Sequence, residues 1–219
     1  MENFKISNNK QEVPLEFYTN KFRQLDPQEV VGRTGVCFDD VQGRFVLEVL
    51  GFKISAYWPE FKLVPDDRAL CPKVLYDFQM QVMVMRFLIE SVVVPPSGSF
   101  LAYRELPWGE LYDANFQGRC LKRLAYSFGY KLEDFINAAQ KLGGVRLGLG
   151  DASFDLLFLG GVVCRLVLWA ADDEFPPSAQ FLFSDNAQLA FNAEDLSVVG
   201  DIVISSLKGA QDRRTVPLS

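Results

Sequence analysis

Three successive acids, Asp172, Asp173 and Glu174, close an apolar run in the stretch WAADDEFPPS at residues 169–178. Carboxylates this close together suit two chemistries, ligation of a hard cation and general acid–base work. Adjacent residues of an extended segment point to opposite faces, so at most two of the three converge on one ion unless the chain turns there. A cationic side chain is the other natural partner. Arginine offers a planar fork that fits a carboxylate, and YRELPWGELYDANFQGR at 103–119 carries Arg104 and Arg119 beside Glu105 and Tyr112. Asp173 and Glu174 are then the expected internal partners of these arginines. With Asp151, Trp169, Asp172 and Phe175 they complete the set of candidate ligand-binding residues. The pattern assigns no catalytic residue and no metal ligand set.

What the chain lacks narrows the chemistry further. It contains no histidine, which removes Ser-His and Cys-His nucleophiles, HExxH zinc sites and an imidazole proton shuttle. Cys37, Cys71, Cys120 and Cys164 are widely spaced with no CxxC, so they describe neither a zinc ribbon nor an iron–sulfur run, and reduced thiols in a cytoplasmic protein fit best. The glycine-rich run GGVRLGLGD at 143–151 lacks the Lys-Ser or Lys-Thr of a phosphate loop and follows a helix instead of opening one, so it reads as a helix stop and a turn. Asp39-Asp40 and Asp66-Asp67 lack the alternating oxygen ligands of a calcium loop and read as solvated turns. A net charge of −6 repels phosphate backbones, so nucleic acid is not an expected partner.

The elements that position these residues follow from periodicity. Leu15, Tyr18, Phe22 and Leu25 fit one helical face, and Asp26-Pro27 opens a second short helix ending near Gly32. From Val36 the period changes to that of an antiparallel meander through KISAYW. The spacing of Leu75, Phe78, Val82, Met85, Ile89 and Val92 predicts a central core helix over 74–92, stopped by Pro95-Pro96. After a strand SFLAYREL, the stripe Tyr112, Phe116, Cys120, Leu124 and Phe128 predicts another helix, with Cys120 as core filling. A further helix spans about 132–142. The apolar stretch 152–171 resembles a membrane span in length, but its Asp155, Arg165 and central Gly160-Gly161 make it a hairpin of two buried strands, so no membrane association is expected. AQFLFS is a strand, and Asn192 with Asp195 marks the N-cap of a last helix to about Leu207. The fold class is therefore α+β, an antiparallel meander and hairpins packed with about five helices in a single domain at 14–207. A flexible lead-in at 1–13 and a flexible tail at 208–219 flank it. The polar N-terminus has no apolar signal-peptide core, so a cytoplasmic location is expected.

The segments FLAYRELPWGELYDANFQGR, Gly150-Asp151 and LVLWAADDEFPPSAQFLFSDNA together resemble an uncharacterised domain-of-unknown-function family of anaerobic bacteria and archaea, DUF3786-like, over about 15–207. The resemblance implies a soluble protein; some members are joined to an iron–sulfur domain with clustered cysteines, and this chain has no such cluster. Three functions stay open. The first is an accessory protein that binds a small-molecule cofactor, for which the family setting suggests a tetrapyrrole or corrinoid, or a protein partner. The second is an enzyme using the triplet acids with a hard metal ion. The third is a structural or interaction domain in which Asp173 or Glu174 is buried against an arginine.

Overall fold

A computed structural model describes the backbone of residues 9–211 and the side chains of residues 15–211. Helix α1 (Asn9–Arg23) is followed by α2 (Pro27–Thr34), which opens as its sequence demands: the Asp26 carboxylate accepts the Gln28 N–H at 2.9 Å, and Pro27 takes the first turn. The helix passes Gly32 and stops at Gly35, whose left-handed φ of 66° closes it.

The expected meander is a four-stranded antiparallel sheet, β1 (Cys37–Asp39), β2 (Arg44–Val49), β3 (Phe52–Tyr57) and β4 (Lys62–Pro65), in sequence order. Its acidic corners are turns. The Asp39 carboxylate accepts the Val41 and Gln42 N–H groups, and that of Asp67 accepts those of Ala69 and Leu70.

A second antiparallel sheet has the order β5-β9-β8-β7-β6, from β5 (Phe100–Ala102), β6 (Val145–Leu147), β7 (Ala152–Leu157), β8 (Val163–Trp169) and β9 (Ser178–Ser184). The hairpin at Gly160-Gly161 joins β7 to β8, and across it Asp155 faces Arg165 in a two-pronged pair, both contacts 2.8 Å. The guanidinium of Arg165 also lies 3.6 Å from the centre of the Phe100 ring. The two charges that argue against a membrane span thus satisfy each other on the sheet surface. No helix among the described residues is long and apolar enough to cross a membrane.

Helices α3 (Phe78–Glu90), α4 (Gly109–Phe116), α5 (Arg123–Phe128), α6 (Leu132–Lys141), α7 (Ala187–Ala190) and α8 (Ala193–Gln211) complete the fold. A π-helical turn, Gln117–Lys122, fuses α4 to α5, which leaves seven helices among the described residues against about five expected. That turn has a cause in the sequence. Phe116, Cys120, Leu124 and Phe128 repeat strictly every four residues, which overruns a 3.6-residue turn, and the wider turn returns all four to the core. Tyr112, expected on the same stripe, is half-exposed.

The central helix is α8 and not α3. Leu196, Val199, Ile202, Val203, Ile204 and Leu207 of α8 are all buried. The expected helix over 74–92 is shorter and rotated. The Asp77 side chain caps Met80 N–H, so Leu75 belongs to a preceding 3-10 turn, and the helix ends at Ser91, before the prolines. Its buried residues are Met80, Met83, Val84, Met85, Phe87 and Leu88, while Val92 is half-exposed. Every position over 82–89 except Arg86 is apolar, so the spacing alone did not select a face. Most of the lead-in and tail expected at 1–13 and 208–219 lies outside the described residues. Where described, both are helical: α1 begins at Asn9 and α8 continues to Gln211.

Candidate functional site

The candidate residues named from the sequence divide between two places. Asp151, Trp169, Asp172, Asp173, Glu174 and Phe175 gather at the end of the second sheet, because the Asp151 carboxylate accepts the Ala170 N–H at 2.8 Å and the loop after β8 turns there. The Asp172 carboxylate accepts the N–H groups of Glu174, at 2.9 Å, and Phe175, at 2.7 Å, closing a tight turn on itself. Asp173 and Glu174 are exposed and form no ion pair among the described residues. Phe175 is also exposed.

The arginines are elsewhere and do not meet these acids. Arg104 is exposed and has no ion pair among the described residues, and the neighbouring Glu105 turns back to accept the Ala102 N–H at 2.7 Å. Arg119 pairs with Asp201 on α8 at 2.9 Å, in a group that also holds Arg123. The expected link from Asp173 or Glu174 to Arg104 or Arg119 is therefore absent, and so is the burial of those acids. An acid run next to two prolines is more cheaply satisfied by its own backbone and water than by desolvation against a guanidinium. Among the described residues no three or more Cys, Asp or Glu side chains take a metal-holding arrangement. The Trp108-Gly109 turn is a feature of backbone geometry: Trp108 has φ of 65°, and a Cβ on Gly109 would collide with the Tyr103 carbonyl.

A charged pair that is largely withdrawn from water lies between α3 and the start of α8. Arg86 Nη1 is 2.7 Å from Asp195 Oδ1, and the two side chains are only 20% and 10% exposed. Local sequence places both ends. Arg86 follows the apolar run Val82–Met85 on α3, and the Asn192 side-chain oxygen accepts the Asp195 N–H at 2.9 Å, capping α8 so that its first turn presents Glu194 and Asp195. The guanidinium also lies 5.8 Å from the centre of the Tyr18 ring, and its Nε, buried, has no hydrogen-bond partner among the described residues.

Two cavities open on either side of this pair. One, of about 220 Å³, is lined by Arg86, Glu90, Gln188, Phe191, Asn192 and Asp195, among others. Its neighbour, of about 170 Å³, is more apolar, with Phe78, Val82, Met83 and Val198 around Arg86, Glu194 and Asp195. Burial raises the Asp195 carboxyl to about 6. The Arg86 charge opposes that rise, and the nearby Glu194 and Glu90 reinforce it. A carboxyl poised near neutrality in a cleft can exchange a proton or a hydrogen-bond partner under ordinary conditions. Two of the thiols do not compete for a chemical role: burial pushes Cys120 up to about 12 and Cys164 higher still.

Neither Arg86 nor Asp195 was among the candidate ligand-binding residues, and Asp195 entered only as part of a cap signal. The one signal available was a lone arginine inside an apolar helix, which must find a counter-charge. Residues 26–206 match the model of a family described as Domain of unknown function (DUF3786). The chain belongs to this family. The match spans the α3–α8 cleft and the acidic loop alike. No curated protein and no solved structure matches the chain.

Proposed function

We propose that this DUF3786 domain is a ligand-binding accessory protein whose site is the cleft between α3 and the N-terminus of α8, where a small polar molecule sits against Arg86 and Asp195. The observation that carries the reading is a nearly buried ion pair that forms the wall between two open cavities, with an unpartnered guanidinium nitrogen and an acid raised to about 6. Ion pairs withdrawn from water cost desolvation free energy and are weak stabilisers, so a function at the cleft accounts for keeping one. Scale limits the ligand. Sites for drug-sized molecules occupy roughly 300–1,000 Å³. The larger cavity, at about 220 Å³, suits a ligand much smaller than a tetrapyrrole or corrinoid.

The test is to incubate the purified chain with a small-metabolite extract, wash it, and identify released compounds by mass spectrometry. Leu189→Trp, at an exposed position on the cleft rim, serves as a blocked control. A polar compound of low mass retained by the native chain and lost from the variant is the expected result. Equal retention by both, or none by either, overturns the reading.

A further inference from the structure

Independently of the cleft, we infer that the chain pairs with a second copy of itself through the outer face of α4 and the π turn, the two helices running antiparallel. The face is apolar where a lone molecule would leave it to water. Trp108, Leu111 and Tyr112 are 76%, 72% and 50% exposed, and they fall within about one and a half helical turns. Single exposed apolar side chains are ordinary, whereas a contiguous group of this size marks a contact surface. Trp108 is held there by a backbone that costs free energy, since its φ of 65° is a conformation that bulky side chains rarely adopt.

The row of residues along this face fits one occupant. Glu110, Ala114, Gly118 and Lys122 follow one another at intervals of four, and all are exposed. The π turn that keeps Phe116, Cys120 and Leu124 in the core therefore keeps this second row in the open. In order it runs acid, small, small, base, which is its own complement when a second copy lies against it in the opposite direction. Glu110 then meets the partner's Lys122 at both ends, and Ala114 faces the partner's Gly118 across the centre, where small residues let two helix backbones come close. Gly118 has no role within its own chain that would require glycine. A Cβ there would meet nothing within 4 Å, and glycine inside a helix is destabilising relative to alanine, so a close approach from outside accounts for it. The charges are free for the purpose. Arg119 and Arg123 both contact Asp201, and the Asp113 carboxylate accepts from Gln117, while Glu110 and Lys122 form no ion pair among the described residues.

One helix pair is a small contact, at the low end of specific interfaces, so the expected dimer is weak, with a Kd on the order of 10 µM. Sedimentation velocity of the native chain over a concentration series into the high micromolar range tests it. A reversible monomer–dimer equilibrium is the expected result. Glu110→Lys and Lys122→Glu, each placing like charges opposite one another at both ends, are each expected to weaken the dimer about tenfold, and the double reversal is expected to restore it. Gly118→Leu has room in the single chain and is expected to abolish pairing. A chain that stays monomeric throughout overturns the inference. So does a dimer that Gly118→Leu or the single reversals leave unchanged, or that the double reversal fails to restore.

Discussion

The loop at 170–177 and the cleft between α3 and α8 both gather carboxylates, and they treat them in opposite ways. In the loop, Asp172 Oδ1 accepts two backbone N–H groups of its own turn while Asp173 and Glu174 remain in water. In the cleft, Asp195 lies almost out of water beside an arginine 109 positions earlier in the chain, and its proton affinity rises accordingly. The acids that are adjacent in sequence lie on the surface. The perturbed one comes from a cap signal that would suit any helix. Desolvation, and not the number of neighbouring acids, sets a carboxylate apart.

Removing the counter-charge from the cleft is the strongest way to break this contrast. Arg86→Met leaves Asp195 nearly buried without a partner and is expected to cost about 3 kcal/mol in urea denaturation, as breaking a buried pair does. A loss no greater than that of a surface pair would put the cleft on the same footing as the loop. Next in size is a dependence on pH. The Asp195 carboxyl is raised from 3.8 to about 6, so the folded chain holds this proton more tightly than the unfolded chain. Its contribution is fully present below about pH 4 and is lost as pH rises through about 6. Asp77 is raised by burial as well and acts in the same direction. Stability is expected to fall by on the order of 2 kcal/mol between pH 4 and 6, with Asp195→Asn flattening most of that slope in melting-temperature profiles; an unchanged slope in the variant contradicts it. The loop supplies the smallest effects. Asp172→Ala removes the acceptor for two backbone N–H groups and is expected to cost about 1 kcal/mol, like the loss of a cap. Asp173→Asn with Glu174→Gln is expected to change stability by less than about 0.5 kcal/mol, and a larger loss would show that the loop acids have partners after all.

Much of the fold was legible wherever a short segment decides its own conformation. The Gly160-Gly161 hairpin, the stop of α6 before Gly143-Gly144, the Asn192 cap and the Asp39 and Asp67 turns all follow from local chemistry, and the structure has each of them. The stripe from Phe116 to Phe128 was legible too, although the π turn that keeps it in phase was not. The rotation of α3 was hidden because every residue over 82–89 except Arg86 is apolar. The site was hidden for a related reason: a lone arginine announces that it needs a partner and says nothing about which acid will supply it.

Composition and local pattern by themselves determined an α+β chain of antiparallel hairpins and helices without imidazole chemistry, while of the thiols expected in the core Cys71, Cys120 and Cys164 are buried and Cys37 is exposed. Tertiary structure decided which pieces meet. It set β5 beside β9, with Leu101 opposite Phe183, made α8 the central helix, sent Arg119 to Asp201, and brought Arg86 to Asp195. Such pairings join residues about 80 or more positions apart, where the choice of partner depends on which faces the whole core buries and no local propensity records it.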